Sequence, residues 1–311
     1  MKRGFVLIST LSIVAILSFL ILIINKTVVQ DSIKSYIFNE SIHKRIQLIN
    51  YEKFLIETLQ NNSNQLRNLS LAEQQINFLM KEKYENLNVT FTDLNTCVNL
   101  NSSVKKFRET LIRENKNNIV FQRLFQSLDI DESFANYFYD KLVDFIDSDS
   151  LPERLGAEDL FYIADEDSNF TSDSYLLSTT QLKDLKVLDI ETYNLIKPLF
   201  CAIPENYNKF NINSLNESNY LAFSAMFPDI TLNDFEQIIL NKPITGYINL
   251  SHFFELTNMD EGKIIQENII FKPEYIRISY LLKLEGYEFS MHSVINLKER
   301  SNNLISRSFV I

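Results

Sequence analysis

The densest run of chemistry-bearing side chains lies between Asp144 and Tyr162. Asp144, Asp147 and Asp149 follow one another closely, Pro152 and Gly156 interrupt the chain, and Glu158-Asp159 precede Phe161-Tyr162. Carboxylates this crowded repel one another unless water or a cation separates them. A hard cation such as Ca²⁺ takes about six to eight oxygens from a flexible loop. Asp147, Asp149, Glu158 and Asp159 could supply up to four carboxylates, with loop carbonyls and water completing the shell. The run is not an EF-hand, because the glycine at the sixth loop position and the glutamate at the twelfth are missing. The competing reading is a solvated acidic loop.

Other chemistries find little support. Cys97 and Cys201 are the only cysteines and form no Cys-x-x-Cys pair. They are either two buried thiols or, on the oxidising side of a membrane, a disulfide. His43, His252 and His292 lack the spacing of a catalytic or metal site, and five scattered glycines make no phosphate loop. A formal charge of −10 repels phosphate backbones, so no nucleic-acid partner is expected. Asn211 to Ser214 followed by two helices resembles the start of a helix-hairpin-helix module near residues 210–260. That module needs a glycine-rich hairpin to approach phosphate. No glycine lies between Phe227 and Leu232, and Asp229 is there instead. Lys298, Arg300 and Arg307 read as solvated strand-edge charges.

These residues must be positioned by the rest of the chain, which starts with Lys2-Arg3-Gly4 and an uncharged run from Phe5 to Ile24. As a helix, that run spans about 30 Å, the thickness of a bilayer core. The basic flank keeps the amino terminus cytoplasmic and sends the remainder across. A cleaved secretory signal competes, but Ile21 to Lys26 offers no small-x-small cleavage site. Isoleucines 33, 37, 42, 46 and 49 continue the helix in amphipathic form to about residue 50. Residues 51–59 and 68–87 read as helix or mixed structure, and Val89 begins a strand. Residues 104–145 read as helix, followed by helices at 180–188, 189–198, 217–227 and 232–241, the last two closed by Pro228 and Pro243. The carboxyl end reverts to strands at 275–284, 287–297 and 304–311, with turns at Gly286 and Asn302-Asn303. With 45% apolar and 12% aromatic residues, the chain has enough material for a packed core. The expected fold is α+β: a long amino-terminal helix packed on an antiparallel sheet, with a large inserted helical domain.

The leader resembles the type IV pilin class, in which a membrane prepilin peptidase cuts after the glycine and methylates the new amino terminus. That resemblance implies cleavage between Gly4 and Phe5. Pilin-like proteins usually carry glutamate at the fifth mature position, and here Ser9 stands in its place. Its absence resembles the K-type minor pseudopilins of type II secretion systems, the general secretion pathway protein K family. The acidic run is similar to that family's Asp-Trp-Ile-Asp-x-Asp-x-x-Pro-x-x-x-Gly-Ala-Glu-x-x-Tyr pattern, with Phe145 replacing the tryptophan. Cys97-Val-Asn99-Leu-Asn101 and Cys201-Ala-Ile-Pro204, followed by Phe210-Asn211-Ile-Asn213, resemble two further family segments.

The resemblance implies a Cys97–Cys201 disulfide and Ca²⁺ held by Asp147, Asp149, Glu158 and Asp159. It implies a leader at 1–4, a membrane helix at 5–24, a pilin-like helix and sheet at 25–100 and 273–311, and an inserted helical domain at 101–272. The implied role is non-enzymatic: capping the pseudopilus tip and initiating its assembly. The implied partners are the smaller I- and J-type minor pseudopilins and the inner-membrane secretion platform. The implied location is the bacterial inner membrane, with the carboxyl-terminal domain in the periplasm. The alternative is a single-pass anchored protein that uses the helix-hairpin-helix-like part to bind DNA or a protein.

Overall fold

The computed structural model describes residues 2–61, 65–83, 86–163, 170–284, 287–298 and 304–310, which fall into two compact units, 1–55 and 56–311. Helix α1 (Lys2–Asn61) is continuous and supplies the whole of the first unit. From Thr10 onward it contains an apolar window long enough to cross a membrane, and the large apolar side chains from Leu11 to Val29 are exposed. No proline or glycine interrupts it after Gly4, so nothing breaks its backbone hydrogen bonding. Farther along, Glu40 and Lys44 pair at 3.3 Å across one turn.

The second unit runs α2 (Leu69–Lys83), β1 (Leu87–Asp93), β2 (Val98–Asn99), β3 (Val104–Phe107), β4 (Thr110–Arg113), α3 (Asn118–Gln126), α4 (Glu132–Ile146), α5 (Asp159–Ile163) and α6 (Ile190–Ile196). It continues through β5 (Phe200–Cys201), β6 (Phe210–Asn211), α7 (Tyr220–Met226), α8 (Leu232–Leu240), α9 (Leu250–Thr257), β7 (Ile269–Ile270), β8 (Tyr275–Leu284), β9 (Tyr287–Asn296) and β10 (Leu304–Val310). The main sheet is antiparallel with order β1-β8-β9-β10. Leu87 faces Leu282 and Asp93 faces Ile276, so strands far apart in sequence are neighbours and the helical block lies between them in the chain. Alternation buries Ile276, Ile278, Tyr280 and Leu282 on one face. Helix α2 covers the β1 edge: the Asn77 amide exchanges two hydrogen bonds with Val89, and Glu73 accepts from the Phe91 N–H at 2.6 Å. An edge satisfied in this way offers no template for a further strand.

The block between β2 and β7 is built twice on one plan. β2 pairs in parallel with β5, and β6 with β7. In each, an asparagine caps a 3₁₀ turn and the asparagine two residues on holds a distant loop. The Asn101 amide donates to Leu176 O (2.9 Å) and Ile203 O (2.7 Å) and accepts from Leu176 N–H (2.8 Å). Asn213 repeats this with Tyr247 O and Phe271 O (both 2.9 Å) and Tyr247 N–H (2.7 Å). Phe121, Phe125, Phe138 and Phe200 beside the first pair, and Phe210, Phe223, Phe227 and Phe235 beside the second, belong to one continuous core. Cys97 and Cys201 form a disulfide beside the β2–β5 pair, Cα atoms 5.6 Å apart and 104 residues apart in sequence. Closing so long a loop stabilises by roughly 4–5 kcal/mol at most.

Several sequence expectations need correction. Residues 104–113 form the β3–β4 hairpin, its turn carried by Arg108 at φ 57°. The expected helix at 180–188 is a 3₁₀ segment, Thr179–Lys183, and Lys186 at φ 54° prevents continuation. Helix α9 was not expected, although Asn249 caps its start and Asn258, at φ 51°, ends it. Lys298 is an ion-pair partner of Glu205 rather than a free edge charge, and Tyr275 Oη donates to the same carboxylate at 2.6 Å. Met1, Arg300, Ile311 and the expected turns at Gly286 and Asn302-Asn303 lie outside the described residues.

Candidate metal centre

The acidic loop is shaped by the last turns of α4. Asp140 and Asp144, four residues apart, project from one side of the helix. Both Asp144 carboxylate oxygens accept the Glu153 N–H at 3.0 Å, and Asp140 Oδ2 accepts the Leu155 N–H at 3.2 Å. Arg113 from β4 braces the arrangement, pairing with Asp140 at 2.7 Å and Glu153 at 3.3 Å. The fit is close at Gly156, where a Cβ would lie 1.8 Å from Asp144 Oδ2. Only glycine admits the carboxylate so near the backbone.

With the loop drawn in this way, ligand oxygens of Asp147, Asp149 and Glu158 lie within 4.8 Å of one another. Asp147 Oδ1 and Glu158 Oε1 are buried without a hydrogen-bond partner. Burial, reinforced by Asp149, Asp144 and Glu158, pushes the Asp147 carboxyl up to about 8. Burial with repulsion from Asp144 and Asp149 raises Glu158 to about 7. Asp144 rises only to about 6, because backbone N–H groups offset part of its burial. The fourth residue of the expected set stands apart. Asp159 Oδ1 accepts from Thr171 N–H (2.9 Å) and Oγ1 (2.7 Å), and these bonds hold it below the usual carboxylate range. Nearby, Phe145 and Tyr162 pack edge to face at 5.8 Å, and the buried Lys141 ammonium sits 3.4 Å from the Phe161 ring centre.

Two partner-poor buried oxygens within an all-carboxylate group suit a hard divalent cation, which would supply the missing positive charge. The signal that sequence reasoning missed is Asp140: its spacing from Asp144 marks the pair that folds the loop. Gly4 and Phe5 lie within α1, and their side chains are not among those described.

A long helix with an exposed apolar first part, joined in sequence to a domain with a four-stranded antiparallel sheet, defines a pilin-like fold. The structure is similar to the crystal structure of the GspK-GspI-GspJ complex from the enterotoxigenic Escherichia coli type 2 secretion system. That match has a TM-score of 0.62 and 20% identity and covers 86% of this chain and 98% of the other. Residues 96–205 match the sequence model for type II secretion system protein K. The type II secretion system protein K of Pectobacterium carotovorum subsp. carotovorum is 23% identical over 223 residues, 70% of this chain and 68% of that protein. The Klebsiella pneumoniae protein of the same name is 27% identical over 165 residues, 53% of this chain and 51% of that one. A putative protein K of Escherichia coli K12 is 27% identical over 169 residues, and the chain spans about half its length. The chain is therefore similar to type II secretion system protein K, through the matched segment 96–205 and relatives aligned over half or more of its length.

Proposed function

We propose that this chain is a non-enzymatic minor pseudopilin that sits at the tip of a type II secretion pseudopilus. The observation that carries the reading is the protein K match over 96–205, which spans the acidic loop, the first asparagine latch and both cysteines. In this role the prepilin peptidase cuts after Gly4 and methylates Phe5. The apolar part of α1 then anchors the chain in the inner membrane, with the remaining domain in the periplasm. Ser9, lacking a carboxylate to pair with a subunit above, fits a position with no neighbour there. The helical block caps the fibre, and I- and J-type subunits pack beside α1. Support for such partners comes from the similar structure, which is that of a GspK-GspI-GspJ complex.

Asp147, Asp149 and Glu158 would hold Ca²⁺, which would neutralise the loop and fix it against α4. Co-expression with the I- and J-type subunits of the same secretion system tests the assembly. A stoichiometric three-subunit complex in native mass spectrometry is expected, and a chain that stays alone in detergent contradicts the reading. The DNA-binding form of the anchored-binder alternative draws no support from the connection between α7 and α8, which has no glycine and carries Asp229.

A further inference from the structure

Where the main sheet meets the helical block there is a cavity of about 880 Å³. Its walls come from the start of α2, the end of β1, residues 197–200 and the segment 213–219, with Arg277 of β8. That volume is in the range of cavities that enclose ligands and is far larger than a single oxyanion needs.

The charges of the wall are unevenly matched. Glu73 is occupied with the Phe91 N–H, and Asp93 accepts from Asn95 N–H (2.8 Å) and Asn211 Nδ2 (2.6 Å). Lys242 donates to Asn213 O (3.0 Å) and Leu215 O (3.3 Å). Arg277 has no carboxylate partner among the described residues; burial alone perturbs it, lowering its pKa. Lys197, at the mouth, lies 5.4 Å from the Tyr193 ring centre and forms no ion pair among the described residues. The register places Thr92 and Val294 beside Arg277 on the same face. Arg277 thus lines the cavity with no carboxylate matched to its fork of donors among the described residues, an arrangement suited to a carboxylate ligand.

We propose that this cavity receives an extended peptide segment of another polypeptide, with a carboxylate of that segment on Arg277 and Lys197. A peptide fits the remaining wall. Leu69, Phe91 and Leu215 offer apolar contact, while Ser70 and Thr92 offer hydroxyls to backbone amides.

The test uses the full chain in detergent and a short dye-labelled peptide alternating serine, leucine and aspartate, read by fluorescence anisotropy. Saturable binding is expected, weakened roughly tenfold or more by Arg277→Gln and by replacing the peptide's aspartates with asparagines, the scale of a charge-assisted hydrogen bond. Lys197→Gln, on the exposed mouth, should weaken binding less and reduce its salt dependence, with the melting temperature unchanged. Several results overturn the proposal: no saturable binding, equal affinity for the asparagine peptide, or R277Q and K197Q variants that bind like the parent. Binding of inorganic phosphate alone, or of an acidic oligosaccharide in place of the peptide, also overturns it.

Discussion

Replacing Asn213 by alanine tests whether the asparagine latches hold the helical block together. The change removes three hydrogen bonds and leaves Tyr247 N–H, Tyr247 O and Phe271 O in search of partners. A neutral hydrogen bond contributes about 1 kcal/mol, and each stranded buried group costs about 1–3 kcal/mol. With partial relaxation and water entry, a loss of roughly 2–4 kcal/mol is expected. Asn213→Asp sharpens the test, because its shape is unchanged. One carboxylate oxygen still accepts from Tyr247 N–H, but the other faces two carbonyls. Those carbonyls favour the protonated acid, so the folded pKa rises above the unfolded value of about 3.9. Stability of the aspartate variant is then fullest below that value and falls as pH rises through the folded pKa. Urea titration of the full chain in detergent, followed by tyrosine fluorescence, measures both variants. Asn241→Ala, which removes only the exposed bond to Gln237, serves as a control expected within about 0.5 kcal/mol of the parent. An Asn213→Ala loss no larger than that control, or an aspartate variant whose deficit ignores pH, would refute the reasoning.

Gly156→Ala should destabilise the acidic loop by about 2 kcal/mol or more, because the new Cβ displaces Asp144; limited proteolysis between residues 150 and 163 reports it. Chelator-stripped protein should gain melting temperature on adding Ca²⁺, and Asp147→Asn should remove most of that gain; an unchanged response in the variant contradicts the proposed ligand set. Since Asp147 and Glu158 are raised to about 8 and 7, the metal-free fold loses stability through them as pH rises from about 4 towards 8. Ca²⁺ binding at pH 7 should therefore release protons, which calorimetry in buffers of different ionisation enthalpy detects.

The sequence made the large plan readable wherever a pattern was long or strongly punctuated. The uncharged run of α1 and the alternating β8 and β9 were clear for that reason. The β3–β4 hairpin was hidden because Lys105, Lys106, Arg108 and Glu109 give it no apolar alternation, and its turn uses an arginine rather than a glycine. Helix α9 carried its signals in Asn249 and Asn258, but its eight residues are short for a periodicity test. In the acidic loop, spacing alone could not separate Glu158 from Asp159. Adjacent residues at the start of a helix point in different directions, so one joins Asp147 and the other turns to Thr171. The buried asparagines of the two repeats read as turn formers; their reach to loops 75 and 34 residues away is a property of the folded chain.

The central claim, a leader-processed pseudopilin anchored by α1, is tested most directly by intact-mass spectrometry of the chain purified from membranes that contain its peptidase. A mature protein beginning at N-methylated Phe5 is expected. A chain retaining Met1, or one cut beyond Ile24, would contradict it.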